Sequence, residues 1–224
     1  MSFFKTLGEK PWLAQAAGGV PLMEHDPHAS GRIALRFFLA VVGVLFFLFT
    51  ITFLSRSQYP DFQALAGQPW QPFTDPTRLW FNTALLAFSS LAMHMALMSS
   101  RAGRMNSTII GVTAAAFFAV LFLLAQLDLW QELQAMGFGL GGNPANSYFY
   151  LLTAVHGLHI AGGLIALSNV VFRVWNNGEL SALSGLLKLC ANYWHFLFII
   201  WLLLFGLLTS EPDTINALAA LCGF

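Results

Sequence analysis

The sequence predicts an all-α integral membrane protein, a bundle of five transmembrane helices. Three observations lead there. Of its 224 residues, 57% are hydrophobic and only 9% charged, whereas a soluble domain carries about 25% charged residues. Five apolar runs, near 33–54, 77–98, 107–127, 147–172 and 187–209, each approach the ~20 residues needed to cross a bilayer. Nearly all Pro, Asp and Glu residues fall between those runs. The formal net charge is zero, which argues against a nucleic-acid partner, since that would need a basic face.

The chain opens with a polar segment, residues 1–32, rich in Gly, Pro and His and ending MEHDPHASGR. His25, Asp26 and His28 are metal-ligating types, but on such a leader without further ligands they read as a solvated turn. Asp26-Pro27 and Ser30-Gly31 are turn and helix-entry signals. No cleavable signal peptide is visible, and the first run is expected to act as its own insertion signal. The transmembrane domain then occupies 33–210. Its longest connection is 55–76. Trp70, Trp80, Trp130 and Trp175 stand near run ends and suit the headgroup level. Gly139-Leu140-Gly141-Gly142 is wrongly placed for a phosphate loop and reads as a flexible approach to Pro144. A short tail, 211–224, is expected to close the chain. Cys190 and Cys222 offer neither a disulfide framework nor metal spacing.

Orientation follows from the cations. Lys5, Lys10, Arg32, Arg36, Arg101, Arg104, Arg173 and Lys188 fall on one side of a five-span arrangement, against Arg56 and Arg78 on the other. The positive-inside rule places the N-terminus in the cytoplasm and the C-terminus outside. An odd number of spans agrees with that.

The groups that carry information at membrane depth are histidines. His94, His156, His159 and His195 lie within or near spans. His156 and His159, three residues apart, share a helix face. With His195 they are one candidate haem or metal set. The other reading is that each imidazole hydrogen-bonds a neighbouring helix, water or headgroup and fixes packing. Ligand histidines normally come with carboxylates behind them, and these spans hold no Asp or Glu apart from Asp128 at the edge of the third. The same lack disfavours a proton relay or an ion-coupled transporter. Gly103, Gly111, Gly157, Gly162, Gly163 and Gly206 instead favour close helix approach.

Three stretches, taken together and in order, resemble subunit III of the haem-copper terminal oxidases. The first is NPANSYFYLLTAVHGLHIAGG, residues 143–163, similar to the family's run of Thr, His-Gly-x-His and paired glycines. The second is YWHFLFIIWLLLF, residues 193–205, and the third LLAQLDLWQEL, residues 123–133. NTALLAFSSLAMHMA, residues 82–96, is a weaker fourth. The resemblance implies a five-helix version of a fold that has seven helices in other members. It marks His156, His159, Tyr193, Trp194, His195 and Trp201 as motif residues concerned with packing or lipid contact. No catalytic, cofactor or metal-binding residue is expected in this chain.

What the resemblance implies about function is a non-catalytic subunit of a respiratory oxidase in the bacterial cytoplasmic (inner) membrane. It would pack on subunit I, beside subunit II and other subunits, and stabilise the complex. Haem and copper would belong to the partners, and phospholipid would be held in a cleft of this one. Two alternatives remain: an accessory subunit of a nitric oxide reductase, and a membrane cytochrome or metalloenzyme ligated by His156, His159 and His195. Two family carboxylates have no counterpart. The Ser-Glu-Val-x-Phe-Phe run of many members reads AVVGVLFF at residues 40–47, and the Asp beyond Tyr-Trp-His-Phe is Phe198. A proton-buffering role is therefore not expected.

Overall fold

The computed structural model describes residues 29–67, 72–177 and 180–224, without the side chains of residues 29, 170 and 173–183. Among the described residues six helices follow one another: α1 Ala29–Arg56, α2 Thr77–Arg101, α3 Met105–Ala135, α4 Pro144–Asn177, α5 Leu180–Leu208 and α6 Pro212–Leu221. Five of them, α1 to α5, are long and apolar enough to cross a membrane. Among the described residues there is no strand. The chain is an all-α, multi-pass membrane protein.

Lipid tails are as apolar as leucine, so these helices gain little from hiding apolar surface against one another. Close backbone approach and interhelical hydrogen bonds carry the association instead. The α2–α3 pair shows both. Gly111 of α3 sits so near α2 that an added Cβ would stand 2.9 Å from the Ala96 Cβ and 3.0 Å from the Ala96 backbone nitrogen. The turn joining the two helices is short, residues 102–104. Gly103 takes φ 71°, a left-handed conformation that closes helix C-termini and suits glycine best. The Arg104 N–H then donates to Ser99 O at 3.0 Å.

Helix α5 packs against α2, α4 and α1. Its contacts fix directions: Trp201 meets Thr83 and Trp194 meets Ser89, so α5 runs antiparallel to α2. A Cβ on Gly31 would come within 3.3 Å of Leu189, which sets the start of α1 beside the start of α5. Consecutive helices thus alternate direction, and Arg32, Arg36, Arg101, Arg104 and Lys188 gather at one end of the bundle.

At the opposite end the connections are tied down. Asn143 accepts the Ala145 N–H at 3.1 Å, opening α4 with Pro144 in the first turn, where a missing N–H costs nothing. The same side chain holds the long connection through Gln63, accepting its N–H at 3.2 Å and donating to its carbonyl at 2.5 Å. Buried Phe73 packs on Phe149 of α4 with ring centres 5.1 Å apart. The glycine-rich approach to α4 is hydrogen-bonded rather than loose: Asn146 donates to Gly139 O at 3.1 Å and Ser147 to Leu140 O at 2.6 Å.

Two expectations need correcting. Residues 211–224 are not a plain tail, because they contain α6. Pro212 starts it, Asp213 lies in its first turn, and Ile215 and Ala219 form a buried i, i+4 face. Trp130 is not an end-of-helix anchor. Helix α3 continues to Ala135, and the indole N–H points inward to the Thr153 hydroxyl at 3.1 Å. Trp80 is exposed and rests on Phe205, ring centres 4.7 Å apart. Trp70, the Trp175 side chain, His25, Asp26 and His28 lie outside the described residues.

Candidate functional site

The motif residues converge where α4 and α5 meet α2 and α1. Helix α2 presents a stripe of small polar side chains to its neighbours: Asn82, Thr83, Ser89 and Ser90 are all buried. The spacing explains it, since residues seven apart return to the same helix face, and the pairs Asn82/Ser89 and Thr83/Ser90 do so. An unpartnered polar group at this depth costs more than one at a wet surface. Each member of the stripe therefore has a partner.

Trp201 of α5 is fully buried, and its indole N–H donates to Thr83 Oγ1 at 2.9 Å. The Thr83 hydroxyl donates in turn to Leu79 O at 2.7 Å. Trp194 repeats the arrangement, donating to Ser89 Oγ at 2.9 Å, with Ser89 donating to Ala115 O of α3 at 2.7 Å. That single serine links three helices. Ser90 Oγ and His195 Nδ1 share a hydrogen bond of 2.6 Å, and Asn82 donates to Gln126 Oε1 at 2.9 Å. A third relay runs from Trp130 to Thr153 to Phe149 O.

The two histidines of α4 have different surroundings. His159 donates through Nδ1 to Val155 O, one turn earlier, at 2.7 Å. The Tyr193 hydroxyl donates to the His159 carbonyl at 2.7 Å and joins α5 to α4. His156 is fully buried, and neither ring nitrogen has a hydrogen-bond partner within the described residues. Aromatic rings enclose it instead: Trp201 at 5.3 Å, Phe122 at 5.9 Å and Phe46 at 6.2 Å between ring centres. Aromatic packing holds this ring on three sides.

The suggested ligand set is not assembled. His195 faces Ser90 and His94, the latter with ring centres 5.6 Å apart, while His156 lies among aromatic rings. Among the described residues no three of His, Cys, Asp and Glu are grouped as metal ligands.

Beside His159 a cleft of about 500 Å³ opens between α1, α4 and α5, walled by Phe38, Leu158, Gly162, Gly163, Leu189, Cys190, Tyr193 and Trp194 among others. Gly163 makes room for its wall, because a Cβ there would fall 2.6 Å from the Tyr193 ring. Next to it, Gly162 faces open space.

The family profile described as cytochrome c oxidase subunit III matches residues 23–209 of this chain, and all six motif residues lie inside the match. The chain belongs to the cytochrome c oxidase subunit III family. It is 30% identical over 187 residues to cytochrome c oxidase subunit 3 of Synechocystis sp., covering 81% of this chain and 76% of the relative. With cytochrome c oxidase subunit 3 of Thermostichus vulcanus it shares 27% over 174 residues, 75% of this chain and 85% of the relative. It is also 29% identical over 125 residues to cytochrome bo(3) ubiquinol oxidase subunit 3 of Pseudomonas aeruginosa, covering 55% of this chain and 59% of that protein. The chain thus spans about three fifths of the length of that ubiquinol oxidase subunit.

The sequence reading named the six motif residues and, as a weaker match, the stretch 82–96 that holds Thr83, Ser89 and Ser90. It did not pair the two sets; the seven-residue return of polar side chains along α2 was the available signal.

Proposed function

We propose that this chain is the non-catalytic subunit III of a haem-copper respiratory oxidase, whose whole complex reduces oxygen to water. It sits against subunit I in a bacterial cytoplasmic membrane, with its N-terminus inside, as part of an assembly that includes subunit II. Haem and copper are carried by the partners. The observation that carries the reading is the family match over residues 23–209.

Two features support a packing role. The buried polar side chains of α2 are spent on holding α3 and α5, and the α4 histidines serve helix packing rather than a ligand set. The cleft beside His159 supports lipid retention. It is almost wholly apolar, opens sideways between spans, and has a volume of about 500 Å³ suited to acyl chains. The gathering of Arg32, Arg36, Arg101, Arg104 and Lys188 at one end supports the orientation.

The test is purification from membranes in mild detergent through a tag on this chain. A much larger haem-bearing polypeptide should accompany it in fixed ratio, with phospholipid. Recovery of this chain alone from membranes that contain the oxidase would contradict the proposal.

A further inference from the structure

The outward face of α5 changes character along its length. Lys188, Asn192, His195 and Ile199 recur at helical spacing and share one side. Lys188 and Asn192 are exposed, and so is His94 of α2, whose ring lies 5.6 Å from that of His195. Further along, Ile199 and Leu203 are exposed, and a groove of about 490 Å³ runs between α1 and α5 past Gly43, Phe47 and Gly206.

A polar strip of this kind is costly against hydrocarbon. A lipid headgroup satisfies Lys188 only. Asn192 lies about 6 Å and His195 about 10 Å deeper, at 1.5 Å of rise per residue, and His195 falls near the middle of the span Ser184–Leu208. No headgroup reaches that level. Ser90 of this chain meets His195 Nδ1, which leaves His195 Nε2, Asn192 and His94 to be met by a neighbouring polypeptide, and the glycine-lined groove lets a helix approach closely.

We propose that this α5 face, with His94 at its edge, docks a membrane-spanning helix of another chain. The partner helix carries hydrogen-bond acceptors opposite His94, His195 and Asn192, and a carboxylate near the level of Lys188. All these side chains can donate and one is cationic, so acceptors and negative charge complement them. The inference rests on the proposed oxidase assembly and adds the surface through which that assembly forms.

The test uses the intact complex. p-Benzoylphenylalanine is placed at position 94, separately at position 199, and at exposed position 165 of α4 as a control, then irradiated in membranes. Positions 94 and 199 should each give an adduct with a second polypeptide, and position 165 should give lipid adducts. In parallel, His94→Leu and Asn192→Leu should each lower retention of this chain on the detergent-solubilised complex by roughly tenfold, with Ile165→Ala unchanged. A wild-type complex whose positions 94 and 199 yield only lipid adducts, with retention unaffected in both leucine variants, overturns the docking face alone. Failure of the wild-type chain to bring down any haem-bearing polypeptide overturns the oxidase reading and this face together.

Discussion

The indole N–H of Trp201 donates to the hydroxyl of Thr83 at 2.9 Å, and that hydroxyl donates its own hydrogen bond to Leu79 O within α2. One threonine thereby satisfies a tryptophan on another helix without leaving a polar atom bare. The pairing at Trp194 and Ser89 follows the same logic. Stripped of either partner, the other is left buried.

Thr83→Val keeps the shape and removes the acceptor. Leaving a buried donor unsatisfied costs about 1–3 kcal/mol, while interhelical hydrogen bonds in membranes average about 0.6 kcal/mol. A loss near 1 kcal/mol is expected, read as a lower thermal midpoint in detergent. Trp201→Phe removes the donor, and the double variant should lose less than the sum of the singles. Strict additivity would show that the bond contributes nothing.

Gly162 and Gly163 provide a matched pair. Gly163→Ala forces its methyl against the Tyr193 ring, where 2.6 Å is available, while Gly162→Ala enters open space. Overpacking of this kind costs about 1–3 kcal/mol. The first variant should therefore unfold earlier in detergent and the second should not. Equal behaviour would mean that α4 and α5 do not approach as described.

Arg78 reaches Asp128 and Glu132, each at 3.2 Å, across the ends of α2 and α3. Arg78 and Asp128 are exposed and Glu132 half-buried, and exposed ion pairs contribute about 0–1 kcal/mol. Asp128→Asn should shift the thermal midpoint little, and the small shift should vanish in high salt. A large, salt-insensitive loss would place this trio in a dry interface.

Asp61 should give a pH signature. Its hydrogen bond to the Arg56 guanidinium holds its carboxyl below the ordinary value of 3.8. A carboxylate depressed on folding adds stability that is present above its unfolded pKa and lost as pH falls through the folded one. Stability measured downward from pH 5 should therefore decline more in the wild type than in Asp61→Asn. Parallel curves would remove this pair from consideration.

Much of the fold was legible in the residues. Five apolar runs separated by polar stretches announce five spans, because a bilayer imposes one length on every crossing element. The His156/His159 pair and the Tyr193-Trp194-His195 run were equally visible, since polar and aromatic groups stand out in such helices. The pairing of α5 with Thr83, Ser89 and Ser90 was not, although the stretch 82–96 stood out weakly. Ser89 and Thr83 look neutral in a sequence, and only the crossing of α2 with α5 turns them into acceptors. Trp130 was misplaced because its apolar run ends near 127 while the helix continues to Ala135, about two further turns. Helix α6 escaped notice because ten residues with a two-position buried face resemble a tail. The enclosure of His156 is built by rings on three different helices, which no local pattern encodes.

The most direct measurement is the iron and copper content and visible spectrum of this polypeptide expressed and purified alone, set beside the particle recovered through its tag from oxidase-containing membranes. A scaffold subunit gives no Soret band and no stoichiometric metal by itself, with both appearing in the particle. A Soret band or bound copper on the isolated chain, lost on replacing His156, His159 or His195, would contradict the scaffold reading outright.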